Sequence, residues 1–155
     1  MSQSVLRGKS EHNLDAKGRL NIPSRFQDVL RESGVEAFLV VPWFDHLRAY
    51  LPAKWDETEA KLLDQGPALA THESFNDWLR MVVGSVVECM PDKQGRILIP
   101  PELRSEAGLT KEVILLGIRD YFEIWDKQLL VSKQVKTRQD DDSHKKIVNL
   151  LGILA

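Results

Sequence analysis

Apolar and polar positions alternate in two short stretches of the chain. Leu20 and Ile22 share one face of Arg19-Leu-Asn-Ile22, and Ile97 and Ile99 share one face of Arg96-Ile-Leu-Ile99. A period of two predicts a strand. A four-residue turn precedes each strand, Asp15-Ala-Lys-Gly18 or Asp92-Lys-Gln-Gly95. Asp first and Gly fourth is the type I preference, because the Asp side chain accepts from the turn backbone. Pro23 and Pro100 end the strands, since proline lacks the ladder donor. Each stretch reads as the core of a β-hairpin, with Arg19 or Arg96 just past the turn and facing outward, and Asn21 or Leu98 outward two residues on.

The pattern around these strands also occurs twice. Asp15-Ala-Lys-Gly-Arg-Leu-Asn-Ile-Pro23 returns 77 residues later as Asp92-Lys-Gln-Gly-Arg-Ile-Leu-Ile-Pro100. After each proline comes a helix-like stretch ending at Gly34 or Gly108. An apolar run follows (Phe38–Val41 or Val113–Leu116), then a turn with Asp45 or Asp120, then a second run (Leu47–Tyr50 or Phe122–Trp125). A unit of about 50 residues buries little core alone, so the two copies are expected to close on each other.

Between the units, Phe75, Trp78, Leu79 and Val82 fall at i, i+3, i+4 and i+7, the spacing of an amphipathic helix. Trp55, Thr58, Glu59 and Leu62 give a weaker face over Pro52–Gln65, and Gly66-Pro67 reads as the turn between the two helices. This insert is placed to brace the units or to line a subunit contact. The stretch after Lys133 is polar, with Asp140-Asp-Asp142 at its middle. Residues 136–146 receive no assignment, and Ile147–Leu151 is a candidate helix that docks elsewhere. The expected division is repeat 1 at 5–52, a helical insert at 53–83, repeat 2 at 84–132 and a tail at 133–155. The expected class is mainly β with short helices, α+β.

Charge changes this picture locally. The 155 residues carry 21 Lys+Arg and 23 Asp+Glu, a formal charge of −2. That excludes a globally basic DNA-coating protein but not a basic patch. Residues 1–25 hold Arg7, Lys9, Lys17, Arg19 and Arg25 against Glu11 and Asp15. Residues 84–104 balance at three of each sign, and residues 32–83 hold four basic against nine acidic side chains. The first hairpin is therefore the basic place on the chain. A solvated charged face is the plain alternative. Asp15 stands four residues before Arg19, a spacing suited to an ion pair across the turn, and Asp92 and Arg96 repeat it without a basic surround. That recurrence favours a structural component at both places. The roles are compatible, because an Asp that orients an Arg presents its guanidinium as a rigid fork to phosphate or guanine. The outward Leu98 beside Arg96 suggests a covered outer face, so the second hairpin reads as the structural one.

Enzyme chemistry finds little support. His12, His46, His72 and His144 form no metal-binding pair and read as surface residues. The sole cysteine, Cys89, excludes an intrachain disulfide and a cysteine-based zinc site, and it reads as an inert buried thiol. Gly18 and Gly95 are turn residues, not parts of a phosphate loop. Asp56-Glu57 and Asp140-Asp-Asp142 read as solvated charge, and the four tryptophans as packing. No catalytic residue, metal, cofactor or small-molecule substrate is expected. No apolar run reaches the ~18 residues of a membrane span, and the first residues lack the apolar core of a secretory signal. A cytoplasmic protein without a membrane partner is expected.

The motifs together resemble the bacterial MraZ family. Asp-x-Lys-Gly-Arg-Leu-x-Ile-Pro, Asp-Lys-Gln-Gly-Arg-Ile-Leu-Ile-Pro-Pro-x-Leu-Arg, Phe122-Glu-Ile-Trp-Asp126 and Arg7-Gly8 carry the resemblance, over roughly residues 5–130. Leu6 stands where that family usually has Phe. Each unit is similar to the AbrB/SpoVT class, which implies two pseudo-symmetric swapped-hairpin β-barrel halves in one chain. The resemblance implies a transcriptional regulator, usually a repressor, of the division and cell-wall gene cluster. It implies a ring-shaped homo-oligomer on double-stranded promoter DNA with short direct repeats, and hence a nucleoid-associated protein. It makes Asp-x-x-x-Arg the DNA-binding element, here Asp15 and Arg19, and Asp92 and Arg96. A two-stranded ribbon fits the major groove. On this reading Arg19 contacts a base edge or a close phosphate, and Lys17, Arg7 and Lys9 hold phosphates. Lys93 and Arg96 form a secondary contact, and Asp15 and Asp92 support the motif. An antitoxin-like interaction protein of the same architecture is the rival, with the tail as its partner-binding segment.

Overall fold

The computed structural model describes residues 5–64 and 71–152. Repeat 1 supplies β1 (Leu6–Asn13), β2 (Arg19–Asn21), α1 (Ser24–Glu32), β3 (Phe38–Trp43) and β4 (His46–Tyr50). The insert supplies α2 (Pro52–Leu63) and α3 (Glu73–Val82), followed by a 3-10 turn over Val83–Ser85. Repeat 2 supplies β5 (Val87–Cys89), β6 (Arg96–Leu98), α4 (Pro101–Glu106), β7 (Glu112–Arg119) and β8 (Tyr121–Asp126). Two further helices follow, α5 (Lys127–Gln139) and α6 (Asp141–Leu150). The class is α+β, as expected. The predicted turn at Gly66-Pro67 lies outside the described residues.

The strands pair across the repeats. A six-stranded antiparallel sheet runs β1-β7-β8-β4-β3-β5, and β2 pairs with β6 as a separate two-stranded ribbon. Exchanging β1 with β5, β7 with β3 and β8 with β4 leaves the sheet order unchanged, so the sequence repeat is a pseudo-two-fold in space. Each hairpin opens: β1 pairs along its length with β7 of the other unit, and β2 pairs with β6. The reading of each unit as a self-paired hairpin is corrected in this respect. Barrel closure is not expressed in the strand ladders of the described residues.

The exchange follows from the core. Leu20, Ile22, Phe26, Phe38 and Leu47 of repeat 1 pack in one cluster with Ile97, Ile99, Val113, Phe122 and Ile124 of repeat 2. Neither unit has an inner face of its own to bury. The opposite face of the sheet is covered by the insert, where Trp55 and Val82 form one cluster with Val41 and Tyr50, and Tyr121 of repeat 2 packs against that cluster through the Tyr50 ring. The insert thus braces both units. Beside it, Leu130 of α5 packs on Ile114 and Trp125.

Residues 136–146, which the sequence pattern leaves unassigned, are helical for the most part, and α5 runs from Lys127 to Gln139. Asp126 starts α5 by accepting from the Leu129 amide at 3.3 Å. The helix escaped the periodicity reading because its apolar residues do not share one face: Leu130 is buried while Val131 and Val135 are exposed. His46 is not a surface residue. It is buried, stacked on Trp125 at 4.4 Å, with Glu123 Oε2 3.0 Å from its Nε2.

Candidate nucleic-acid interface

The two Asp-x-x-Gly-Arg turns are nearly superposable in their bonding. Asp15 Oδ1 accepts from the amides of Lys17 and Arg19, both at 2.9 Å, and Oδ2 accepts from Arg19 Nε at 2.6 Å. Asp92 Oδ1 accepts from the amides of Gln94 and Arg96, both at 2.9 Å, and Oδ2 accepts from Arg96 Nε at 3.0 Å. The Gly18 and Gly95 amides close the turns onto Asp15 O at 3.0 Å and Asp92 O at 2.9 Å. Both glycines have positive φ, +85° and +76°, which a side chain rarely adopts. A Cβ on Gly18 would also lie 2.7 Å from Arg104 Cζ, and one on Gly95 would lie 2.4 Å from Gln27 Nε2, so those side-chain ends would have to move.

This bonding shapes what the arginines can do. Asp holds each guanidinium by its Nε edge. The terminal nitrogens have no hydrogen-bond partner among the described residues. A guanidinium anchored in this way is a pre-oriented bidentate donor. The side chains of Arg19 and Arg96 are 34% and 26% exposed, so neither is sealed.

The ribbon brings the two motifs together. Arg19 pairs with Leu98, Leu20 with Ile97, and Asn21 with Arg96. Leu20 and Ile97 point into the core. The opposite face therefore carries Arg19, Asn21, Arg96 and Leu98 as two rows about 7 Å apart along the strands. The turns lie beyond opposite ends of the ribbon, fastened by Ile22 N donating to Gly95 O and Ile99 N donating to Gly18 O, both at 2.9 Å. Lys17 and Lys93 are exposed in those turns. Leu98 is 56% exposed, so no cover over the second hairpin is found among the described residues. The two arginines share one geometry and one face, while the difference in charge between the two hairpins stays.

Arg7 and Lys9 are placed elsewhere. They are exposed on β1, opposite Ile118 and Leu116 of the six-stranded sheet, beside Arg25. Arg25 Nε donates to Arg7 O at 3.0 Å. They belong to the six-stranded sheet and not to the ribbon. Arg104 was overlooked by charge counting along the chain. It is contributed by repeat 2 but stands against turn 1, where its Nε donates to Ile99 O at 3.1 Å. The repeat offset could have found it, because Arg104 occupies the place of Gln27, whose amide donates to Ile22 O at 2.7 Å.

The turns also set the local acid–base behaviour. The hydrogen bond from the Arg19 amide, joined by the Arg19 guanidinium and the Lys17 amide, lowers the Asp15 pKa to about 2 against the opposing effect of desolvation. The Asp92 carboxyl is lowered in the same way, first by the Arg96 amide. A depressed carboxylate contributes stability that is fully present above its unfolded value, about 4. That contribution is lost as pH falls through the folded value. Carbon-detected NMR is expected to show Asp15 titrating near pH 2; a midpoint at about 4 would contradict the turn geometry. Cys89, in contrast, is buried, and burial together with Glu88 raises its pKa to about 11, as suits an inert thiol.

Among the described residues, no group of three or more His, Cys, Asp or Glu could hold a metal ion. No helix there is long and apolar enough to cross a membrane. Comparison with known proteins agrees with the architecture. A family model described as "MraZ protein, putative antitoxin-like" matches residues 5–75 and 82–146, beyond the 5–130 that the motifs cover. The chain is 39% identical over 152 residues to a "Transcriptional regulator MraZ" of Syntrophobacter fumaroxidans, covering 98% of this chain and 97% of that one. It is 42% identical over 124 residues to the protein of the same name from Desulfosudis oleivorans, covering 79% and 81%. Against that of Shewanella denitrificans it is 35% identical over 148 residues, covering 88% and 95%.

Proposed function

The chain belongs to the MraZ family of transcriptional regulators, and from that membership we propose that the β2·β6 ribbon reads promoter DNA through its outer face. The protein is a DNA-binding regulator and not an enzyme. The observation that carries the assignment of the site is the pairing of Arg19 with Leu98 and of Asn21 with Arg96, which sets one guanidinium from each repeat on a single exposed face. A two-stranded ribbon fits the major groove, where arginine pairs with guanine O6 and N7. Lys17 and Lys93 hold phosphates beyond the two ends, and Arg7 and Lys9 hold them from β1, fixing register without reading sequence. Asp15 and Asp92 orient the arginines.

One ribbon binds weakly. We therefore propose a ring-like homo-oligomer on short direct repeats, in which tethering raises affinity by effective concentration. Exposed apolar side chains away from the ribbon support self-association: Phe44 beside Trp78, and Ile147, Leu150 and Leu151 on and just past α6. The proposed target is the promoter of the division and cell-wall gene cluster, with repression as the outcome and the nucleoid as the place of action.

Salt dependence tests this directly. Electrophoretic shifts on duplex from the region upstream of the chain's own coding sequence are expected to weaken steeply with salt. The four phosphate-holding cations Lys17, Lys93, Arg7 and Lys9 give a log–log slope of about −3.6 for each chain engaged. A slope near zero, or tight binding by a species that light scattering finds monomeric at every concentration, would overturn the proposal. The antitoxin-like wording of the family description, with the exposed apolar face of α6, favours one second reading: a protein partner held by the tail. Deleting residues 141–155 separates the two. On the first reading the truncated chain still binds the upstream duplex over a scrambled one, at lower affinity because α6 no longer supports the ring, whereas a co-purifying partner is lost on the second.

A further inference from the structure

The ribbon is pseudo-symmetric in its arginines and asymmetric in what stands beside them. The two-fold exchange maps Arg19 onto Arg96 and Asn21 onto Leu98. One row of the exposed face is Arg19 with Leu98, and the other is Asn21 with Arg96. Both arginines are held alike by Asp. Asn21 and Leu98 thus offer opposite chemistry at equivalent places. Asn21 is exposed, and its amide has no hydrogen-bond partner among the described residues. Leu98 is 56% exposed between two guanidinium-bearing strand positions, where a water-facing leucine gains nothing from the chain itself.

A second copy of the chain does not suit this leucine. Laying the same face on itself would bring two sets of arginines together, and like charges in contact oppose binding. A duplex suits it. In the major groove, thymine presents a C5-methyl group, the apolar feature by which side chains distinguish it, and adenine presents N6 and N7 to an amide.

We infer that Leu98 is a specificity-determining residue that packs on a thymine methyl, and that Asn21 in the equivalent place takes an adenine edge. The inference rests on the DNA-reading proposal above. Its consequence is directional. A fully two-fold ribbon would read each half of its site alike and favour a palindrome. Breaking the two-fold at this one pair gives the ribbon a polarity along the duplex, as a head-to-tail array of direct repeats requires.

The test removes the thymine methyl from the duplex. A 40-base-pair duplex from the region upstream of the chain's own coding sequence is made with thymidine, and again with deoxyuridine in its place. Anisotropy titrations at one salt concentration compare wild type, Leu98→Ala and Leu98→Met. Wild type is expected to weaken on the deoxyuridine duplex by about fourfold for each methyl it buries. Leu98→Met keeps that ratio, because it keeps an apolar contact, and Leu98→Ala loses the share of it that the leucine contact supplies. Comparison with Leu98→Ala cancels any change in duplex shape that deoxyuridine brings. Equal binding of both duplexes by wild type, or an undiminished ratio in Leu98→Ala, overturns the inference while leaving DNA reading intact. Failure of wild type to distinguish the natural duplex from a scrambled one overturns both.

Discussion

Arg19→Ala is expected to weaken binding to the upstream duplex by about 5- to 140-fold for each contacted site, the equivalent of a bidentate arginine contact worth about 1–3 kcal/mol. Binding to scrambled duplex should fall far less, because phosphate contacts from Lys17 and Lys93 remain. Arg96→Ala is expected to behave alike. The sequence alone favoured a structural Arg96, since its surround carries no excess of basic residues. The expectation of like behaviour rests on geometry: the Asp92–Arg96 bond repeats the Asp15–Arg19 bond, and both arginines stand on one ribbon face. Lysine is a poor replacement at either place, because a point charge cannot use the Asp carboxylate to fix a planar fork. Both variants should keep the fold, since each arginine lies on the exposed face and an exposed ion pair adds little stability. Thermal melts alongside titrations on cognate and scrambled DNA check this. Wild-type affinity in Arg19→Ala would remove the ribbon from the site.

Much of this arrangement was legible in the chain, because it is local. The turns follow from Asp and Gly at fixed positions, the strands from alternation, and the helices after Pro23 and Pro100 from their bounding glycines. The repeat announced the pseudo-two-fold. What the sequence did not reveal is long-range pairing. Nothing between residues 6 and 22 states that β1 pairs with β7 or that β2 leaves its own hairpin for β6. The exchange is decided by burying one shared core, and the meaning of Leu98 turns on it. Read within its own repeat, an outward leucine suggests a covered face; paired with Arg19 across the ribbon, it becomes part of a cationic surface. His46 was misplaced for the same reason, because its ring is buried only once β4 pairs with β8 and sets it against Trp125. Arg104 reaches turn 1 from the far repeat, which counting charges along the chain cannot detect.

Phe122→Ala is expected to cost about 3–5 kcal/mol, the usual range for deleting a fully buried phenyl ring. Phe122 is fully buried and belongs to repeat 2, yet both its ring partners belong to repeat 1: Phe26 stacks on it and Phe38 meets it edge-on, each at 5.0 Å. The ring is therefore a joint between the units as well as core volume. Against a total stability of about 5–15 kcal/mol for an ordinary domain, its loss removes a large share, and Tm should fall by about 6–20 °C for a chain of this size. Phe44→Ala is the control. Its ring is 67% exposed, and a change there stays within about 0.5 kcal/mol in the monomer. Urea melts followed by tryptophan fluorescence and by far-UV circular dichroism distinguish a shared core from two independent ones. Trp43 and Trp55 report from repeat 1 and the insert, and Trp125 reports from repeat 2, whereas circular dichroism reads the whole chain. A shared core predicts one transition for both probes, moved as a unit by Phe122→Ala. Two separable transitions, with only the second moved, would mean that each repeat folds on its own side chains and that the exchanged strands are a late embellishment.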